Sequence, residues 1–288
     1  MTSTAIEYLI SDIAAIDRVL TEHPWLDTLL SADEAARADR FRRRTDRDAY
    51  RGAHLLFRLM AARRLGIDLK EAGDLALTRR CRTCGGPHGK PEVPGAELSL
   101  SRSNDTVVIA SAPASSPIGV DIEQVPSDVF SGFDDYVINP SESLPDGEDP
   151  VRQRIDLWVG KEAAVKTTGH GLSVPPGDLT LKQVKRAPSR SNSDRQWTAS
   201  ISAPEVCELD ALNISSLPSP RGYAAALCCA QRPPIEAVSL LDIVEVLPRL
   251  GRSKQTSTGS IGQSRTHVVT EDRRDAVRHR IMAESDVC

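Results

Sequence analysis

Residues 157–171, LWVGKEAAVKTTGHG, set the strongest constraint on how this chain folds. Trp158, Glu162, Val165 and Lys166 recur at i, i+4, i+7 and i+8, the spacing of one face of an α-helix. A face that only filled a core would be apolar throughout. This one sets a carboxylate and an ammonium one turn apart beside an indole, with Lys161 adjacent. The plain account is an i, i+4 Glu–Lys pair on a solvated helix, worth roughly a few tenths of a kcal/mol. The sharper account is a site in which Glu162 meets a metal and the lysines meet phosphate.

The elements around this helix fix the fold class. Residues 1–30 read as an extended segment and a short helix, broken at Pro24-Trp25. Ser31-Ala-Asp-Glu34 has the form of a capping box and predicts a helix over 32–43. A second helix, about 46–65, carries Ala49, Ala53, Leu56, Leu59 and Met60 on one face and ends at Gly66. The Gly and Pro density of 67–97 predicts loop without a regular element. Strands are expected at Leu98–Ser101, Thr106–Ala112 and Ile118–Ile122, with a hairpin turn at Ser103-Asn104-Asp105. A short helix is expected within 126–150, then the key helix over about 151–167. Strands follow at 178–184, 197–202 and 222–229, with a polar hairpin loop at 187–195. Ala237–Leu250 is one last apolar segment, and 251–288 reads as disordered or weakly helical. Helices then strands, followed by helix then strands, predict an α+β fold rather than a doubly wound parallel sheet.

Composition narrows the partners. The formal charge is −4, yet residues 35–64 hold ten arginines (37, 40, 42, 43, 44, 47, 51, 58, 63 and 64) against three aspartates. One basic region in a mildly acidic chain predicts a local anionic partner rather than general nucleic-acid coating. Aromatic residues are 4% of the chain, too sparse for base stacking, so no nucleic acid is expected. No apolar run approaches the ~18–20 residues of a membrane span, and the N-terminal stretch lacks a secretory pattern. A cytoplasmic protein with no membrane partner is expected. Its six cysteines are then reduced thiols. Cys81-Arg-Thr-Cys84 is expected to be a turn with two partly buried thiols. His88 could add a third zinc ligand, but no second CxxC or HxxxH follows to supply a fourth.

The strand PIGVDIE (117–123) is the second informative stretch. With period 2, Asp121 and Glu123 share one face and Val120 and Ile122 the other. Two acids on one face are either a solvated strand end or half of an oxygen-donor site for a hard cation such as Mg²⁺. Glu162 would be the third carboxylate. Lys161 and Lys166 would then face phosphate on that metal, with Lys90, Arg102 and the arginine-rich helices giving further anion contacts.

At these residues the chain resembles the 4′-phosphopantetheinyl transferases of the large, Sfp-type class. IGVDIE (118–123) and WVGKEAAVK (158–166) match the strand and helix motifs of that family. HGKP (88–91), LSLSRS (98–103), GHGLSVPP (169–176) and the opening LSADEAARADRF…DRDAYRGAHLLFR are similar as well, so ordered matches cover roughly residues 28–230. The resemblance implies a pseudo-dimer of two similar α+β subdomains with the active site between them. The corresponding boundaries are 1–115 for the subdomain with the basic helices and 116–234 for the one with the metal site. Residues 235–288 are then an extension, partly disordered. It also implies a reaction: 4′-phosphopantetheine moves from coenzyme A to a serine of an apo acyl or peptidyl carrier protein, releasing adenosine 3′,5′-bisphosphate. The carriers would belong to fatty-acid, polyketide or nonribosomal-peptide synthases, with a role in secondary metabolism, and the enzyme would be a monomer.

Residue roles follow from the same motifs. Asp121, Glu123 and Glu162 would hold Mg²⁺ on the pyrophosphate, and Glu162 would also act as base toward the carrier serine. Lys166 would neutralise the leaving phosphate and Lys161 would bind phosphate. Lys90, Ser101 and Arg102 match nucleotide-phosphate contacts, and Arg37 is a further one. The chain departs from the family at Arg102, where a histidine is usual. A permanent guanidinium keeps or strengthens phosphate binding but removes any role for a titrating imidazole. That departure and the long tail keep a second reading open, a catalytically inactive homologue that binds coenzyme A or a carrier protein.

Overall fold

The computed structural model describes residues 4–144, 149–186 and 196–245. The expected loop at 187–195 and the tail at 251–288 lie outside the described residues. The first half runs β1 (Ile6–Asp12), α1 (Ile13–Glu22), α2 (Ala32–Ala38), α3 (Arg44–Leu65), a two-residue pair β2 (Thr78–Arg79) and β3 (Pro91–Glu92), then β4 (Ala96–Ser103) and β5 (Thr106–Pro113). The second runs β6 (Ile118–Gln124), α4 (Phe133–Val137), α5 (Pro150–Thr168), β7 (Thr180–Arg186), β8 (Trp197–Ser202), β9 (Asn213–Ser216) and β10 (Tyr223–Cys229). The chain then returns to the first half as β11 (Ile235–Ala237) and α6 (Leu240–Glu245). The fold is α+β.

Local chemistry accounts for most boundaries. Both bonds of the capping box form: Ser31 Oγ accepts from Glu34 N at 3.2 Å, and Glu34 Oε2 accepts from Ser31 N at 2.8 Å. The helix they start ends at Ala38 rather than 43. Its last turn tightens, with Arg40 N on Arg37 O and Phe41 N on Ala38 O, and Phe41 packs on Tyr50 with ring centroids 5.4 Å apart. Helix α3 ends at Gly66 in the left-handed conformation (φ 66°), and α5 ends the same way at Gly169 (φ 75°). Within 67–97, where no regular element was expected, a 3₁₀ turn forms at Leu69–Asp74 and β2 pairs with β3. Strand β9 carries no alternating pattern in its sequence; only Ile214 of its four residues is buried.

The topology repeats. β1 is antiparallel to β5 and β5 to β4, with α3 packed on them; β6 is antiparallel to β10 and β10 to β9, with α5 packed on them. Each half thus contains a strand, a long helix and a closing antiparallel pair (β4–β5, β9–β10) whose last strand lies beside the first, and the second half adds β7 and β8 at its far edge. The sheets are ordered β11-β1-β5-β4 and β6-β10-β9-β8-β7, so β4 and β6 are edge strands. They lie against each other. Behind that seam one apolar cluster takes Ile6, Tyr8, Val108 and Ala110 from the first half and Ile118, Val120, Ile122 and Leu227 from the second. Val120 and Ile122 therefore fill the shared core, and Asp121 and Glu123 are left to the other face.

The arginines of α3 serve the fold more than an external anion. Arg58 donates to Glu34 and to the carbonyls of Ala72 and Gly73, Arg64 to those of Ala5 and Ser111, and Arg63 to Glu7. Arg51 pairs with Asp27. Only part of the basic stretch therefore faces solvent.

Candidate active site

The site begins with a glycine. A Cβ at Gly119 would stand 2.0 Å from the Ala163 carbonyl oxygen and 2.5 Å from the Thr167 nitrogen. Strand β6 thus lies directly on the backbone of α5, which brings Asp121 beside the helix turn carrying Glu162 and Lys166. Gly160 does the same on the opposite side of α5, where a Cβ would meet Trp197 and Leu181 at 3.0 and 3.1 Å. Neither glycine offers chemistry, which is why sequence reasoning passed over both.

Across the seam, β4 supplies a serine at every second position. Ser99 Oγ accepts from Val120 N at 3.0 Å, Ser101 donates to Asp121 Oδ1 at 2.7 Å, and Ser103 donates to Glu123 Oε2 at 2.8 Å. Side chains here replace the backbone ladder two edge strands would otherwise form. All three serines are buried. The alternation LSLSRS was legible in the sequence, but its partner strand was not.

Lys166 Nζ donates to Asp121 Oδ1 at 2.7 Å and to Ser101 Oγ at 2.9 Å. The other carboxylate oxygen of Asp121 is buried without a hydrogen-bond partner. Glu162, one turn from Lys166, has its pKa raised to about 7, by desolvation first and then by the charge of Asp121, with Lys166 opposing. Two adjacent carboxylates, one with an orphaned oxygen and the other held back from ionising by burial and its neighbour's charge, fit a hard divalent cation. Glu123 is turned differently: it accepts from Ser103 and, at 3.4 Å, from the Trp158 indole N–H.

The remaining expected residues divide. Burial raises the Tyr50 pKa and the charges of Arg37, Arg79 and Arg102 oppose it, so all three lie within electrostatic reach of this α3 residue. Arg79 was not singled out from sequence. Lys90 reaches the seam, but its ammonium donates to Glu97 Oε2 at 2.7 Å and to the carbonyls of Ile118 and Thr167 at 3.0 Å. Lys161 has no exposed surface. It donates to Val137 O and to Glu142 Oε2, both at 2.6 Å, and burial lowers its pKa. Five residues apart on α5, Lys161 and Lys166 point about 140° away from each other, and a phosphate would have no path to the buried ammonium. Glu142, absent from the sequence expectations, also accepts from Leu181 N at 2.7 Å and so ties the segment after α4 to β7.

Residues 117–228 match the profile of the 4′-phosphopantetheinyl transferase superfamily. A Synechocystis protein provisionally named a 4′-phosphopantetheinyl transferase is 29% identical over 161 residues, which cover 52% of this chain and 61% of the relative. The 4′-phosphopantetheinyl transferase psf-1 of Bacillus pumilus is 29% identical over 179 residues, 57% of this chain and 66% of the relative. The chain thus spans a little under two thirds of the length of the curated relatives it matches. The superfamily segment runs from the start of β6 to the end of β10. It contains Asp121, Glu123, Glu162 and Lys166, whereas Ser101, Arg102 and Arg37 come from outside it.

Proposed function

We propose that the chain transfers 4′-phosphopantetheine from coenzyme A to a serine hydroxyl of an apo carrier protein, with Mg²⁺ as cofactor. The observation that carries this reading is the pairing of Asp121 and Glu162, which the close packing of Gly119 on α5 holds beside Lys166 at the seam. Asp121, Glu162 and Glu123 are the oxygen donors that would hold Mg²⁺, and when bound the ion would neutralise and orient the pyrophosphate.

The chain's own residues supply the rest. Phosphoryl transfer depends mainly on positioning and charge neutralisation. The serine oxygen attacks the phosphorus that bears pantetheine, and the bond to the adenosine bisphosphate breaks. Glu162 would receive the serine proton, directly or through water. Lys166 offsets charge on the departing phosphate while its bond to Asp121 keeps that carboxylate in place. Arg37, Arg79 and Arg102 are suited to the remaining phosphates of the nucleotide.

The test is to incubate the protein with coenzyme A, Mg²⁺ and an apo carrier, and to weigh the carrier by mass spectrometry. The carrier gains the phosphopantetheine mass, and Glu162→Gln or omission of metal slows the gain by roughly a hundredfold or more. No gain across several apo carriers, with coenzyme A still bound, would overturn the enzymatic reading in favour of a binding homologue. Because the amide introduced by Glu162→Gln does not ionise against Asp121, the variant stays folded at neutral pH, and its thermal midpoint checks this.

A further inference from the structure

The β2–β3 pair closes a loop that the transferase site does not use. Thr78 lies opposite Glu92 and Arg79 opposite Pro91. Within the loop, Cys81-Arg-Thr-Cys84-Gly-Gly-Pro-His88 folds back on itself: Gly85 N donates to Cys81 O, and Cys81 N and His88 N both donate to Gly86 O, each at 2.9 Å. These turns bring a sulfur of Cys81, a sulfur of Cys84 and an imidazole nitrogen of His88 within 4.8 Å of one another. Cys84 Sγ and His88 Nε2 are 3.0 Å apart. Among the described residues, this is the trio of potential ligand atoms that converges so closely.

We propose that Cys81, Cys84 and His88 bind one Zn²⁺ ion, with solvent in the fourth position. Zinc bonds of about 2.3 Å to sulfur and about 2.0 Å to nitrogen place tetrahedral ligand atoms roughly 3.5 Å apart, within the spread seen here. The backbone is arranged for thiolates as well. Gly86 N–H points at Cys84 Sγ at 3.4 Å. A Cβ at Gly86 would come within 3.2 Å of both the Cys84 sulfur and the His88 ring, so only glycine leaves the ligands uncrowded. Gly85 and Gly89 both hold left-handed conformations, at φ 71° and 104°. Two thiolates and an imidazole select a borderline-soft ion, so this site is chemically distinct from the oxygen donors at Asp121 and Glu162. The two cysteines are free, and the turn expected to hold partly buried thiols in fact leaves Cys84 exposed. The missing fourth protein ligand, which argued against zinc in the sequence, is not required of a site that keeps one position open.

The loop's flanking residues explain what the ion would do. Arg82, between the cysteines, donates to Thr168 O at 2.7 Å and to both oxygens of Glu208. Lys90, two residues past His88, holds Thr167 O and Ile118 O. The loop belongs to the first half, yet both cations grip the end of α5 in the second, and Lys90 also holds the start of β6. A metal that fixes the loop fixes that clamp.

Titration of the full chain, purified under nitrogen without chelator, with Co²⁺ tests the site. A thiolate-to-cobalt charge-transfer band appears, saturates at about one ion per chain, and is displaced by Zn²⁺. The Cys81→Ser/Cys84→Ser double variant loses the band, His88→Ala weakens binding roughly tenfold or more, and Cys207→Ser keeps both. Chelation lowers the thermal midpoint of the zinc-loaded chain and leaves that of the double variant unchanged. Absence of the band in the unaltered protein overturns the proposal even if a variant misfolds. So does a band that survives in the double variant, or a Cys81–Cys84 disulfide after anaerobic purification. A midpoint indifferent to chelation overturns the clamping role.

Discussion

Glu34 Oε1 lies 3.0 Å from His54 Nδ1, while its Oε2 accepts from Arg58 Nε at 2.8 Å and from Ser31 N at 2.8 Å, the latter closing the capping box of α2. Burial alone would raise its pKa. The bonds from His54, the Ser31 backbone and Arg58 outweigh that and hold it at about 2 against an ordinary 4.5. Burial also pushes the His54 imidazole below its usual value, more than Glu34 pulls it up, so the charged partner at neutral pH is Arg58. Both groups bind protons more readily in the unfolded chain, so stability rises with pH through their range. The Glu34 contribution is complete above about pH 4.5 and is lost as pH falls toward 2; the His54 term adds loss below about pH 6.5. Urea midpoints measured from about pH 7 down to about pH 3 should fall along this course, and Glu34→Gln should flatten the acid limb. At neutral pH that variant should cost about 3 kcal/mol or more, since Arg58 is left buried without its counter-charge. An acid limb unchanged in the variant would show that other carboxylates dominate. Glu162 has the opposite environment. Burial first and then the charge of Asp121 disfavour its ionisation, the pattern of a group held for chemistry rather than stability.

At the scale of elements, the informative contact is β6 against α5. The motif IGVDIE was read from sequence for its acids, and the alternation correctly sends Val120 and Ile122 to the core and Asp121 to the other face. What the alternation could not reveal is the distance to the helix, because that depends on an atom glycine lacks. Gly119→Ala forces the strand away from the Ala163 carbonyl, with no flexible side chain able to yield. The expected cost is about 3 kcal/mol. Transfer activity should fall further than the melting shift alone explains, since Asp121 moves with the strand. Assays well below the variant's midpoint separate the two effects; full activity there would mean that the close packing is not what positions the carboxylate. Period-based reading likewise found α3, α5 and the strands with clear alternation, and missed β9, where a single buried side chain leaves no period to detect. It mistook Lys161 for a surface cation because adjacent residues on a buried helix carry no signal of which one turns inward, and the internal acceptor, Glu142, sits 19 residues earlier in a Ser- and Pro-rich stretch.

At the scale of the molecule, residue 115, the expected division, lies in the connection between β5 and β6. The expected extension from 235 does not behave as an appendage. Ile235–Ala237 pairs in parallel with Ile6–Tyr8, and Val238 N donates to Tyr8 O at 2.8 Å. Leu240, Ile243 and Val244 then enter the apolar cluster formed by α1, α3 and β4. The second half is thus inserted between two parts of the first, and β11 covers the edge of β1 that would otherwise be an exposed strand edge. That arrangement was not legible in the sequence, because a three-residue strand and a six-residue helix are shorter than any periodic window. A chain ended after Pro234 loses the cap on β1 and exposes a site matched to three large apolar side chains, a loss of about 5 kcal/mol as an upper bound. For a domain of this size the melting midpoint should drop by up to about 10–20 °C. Because Tyr8 also belongs to the cluster shared by both halves, the loss should reach the seam, and hydrogen exchange should quicken in β1, β5 and β6 together. Faster exchange confined to β1 would instead show that the two sheets hold their edges independently.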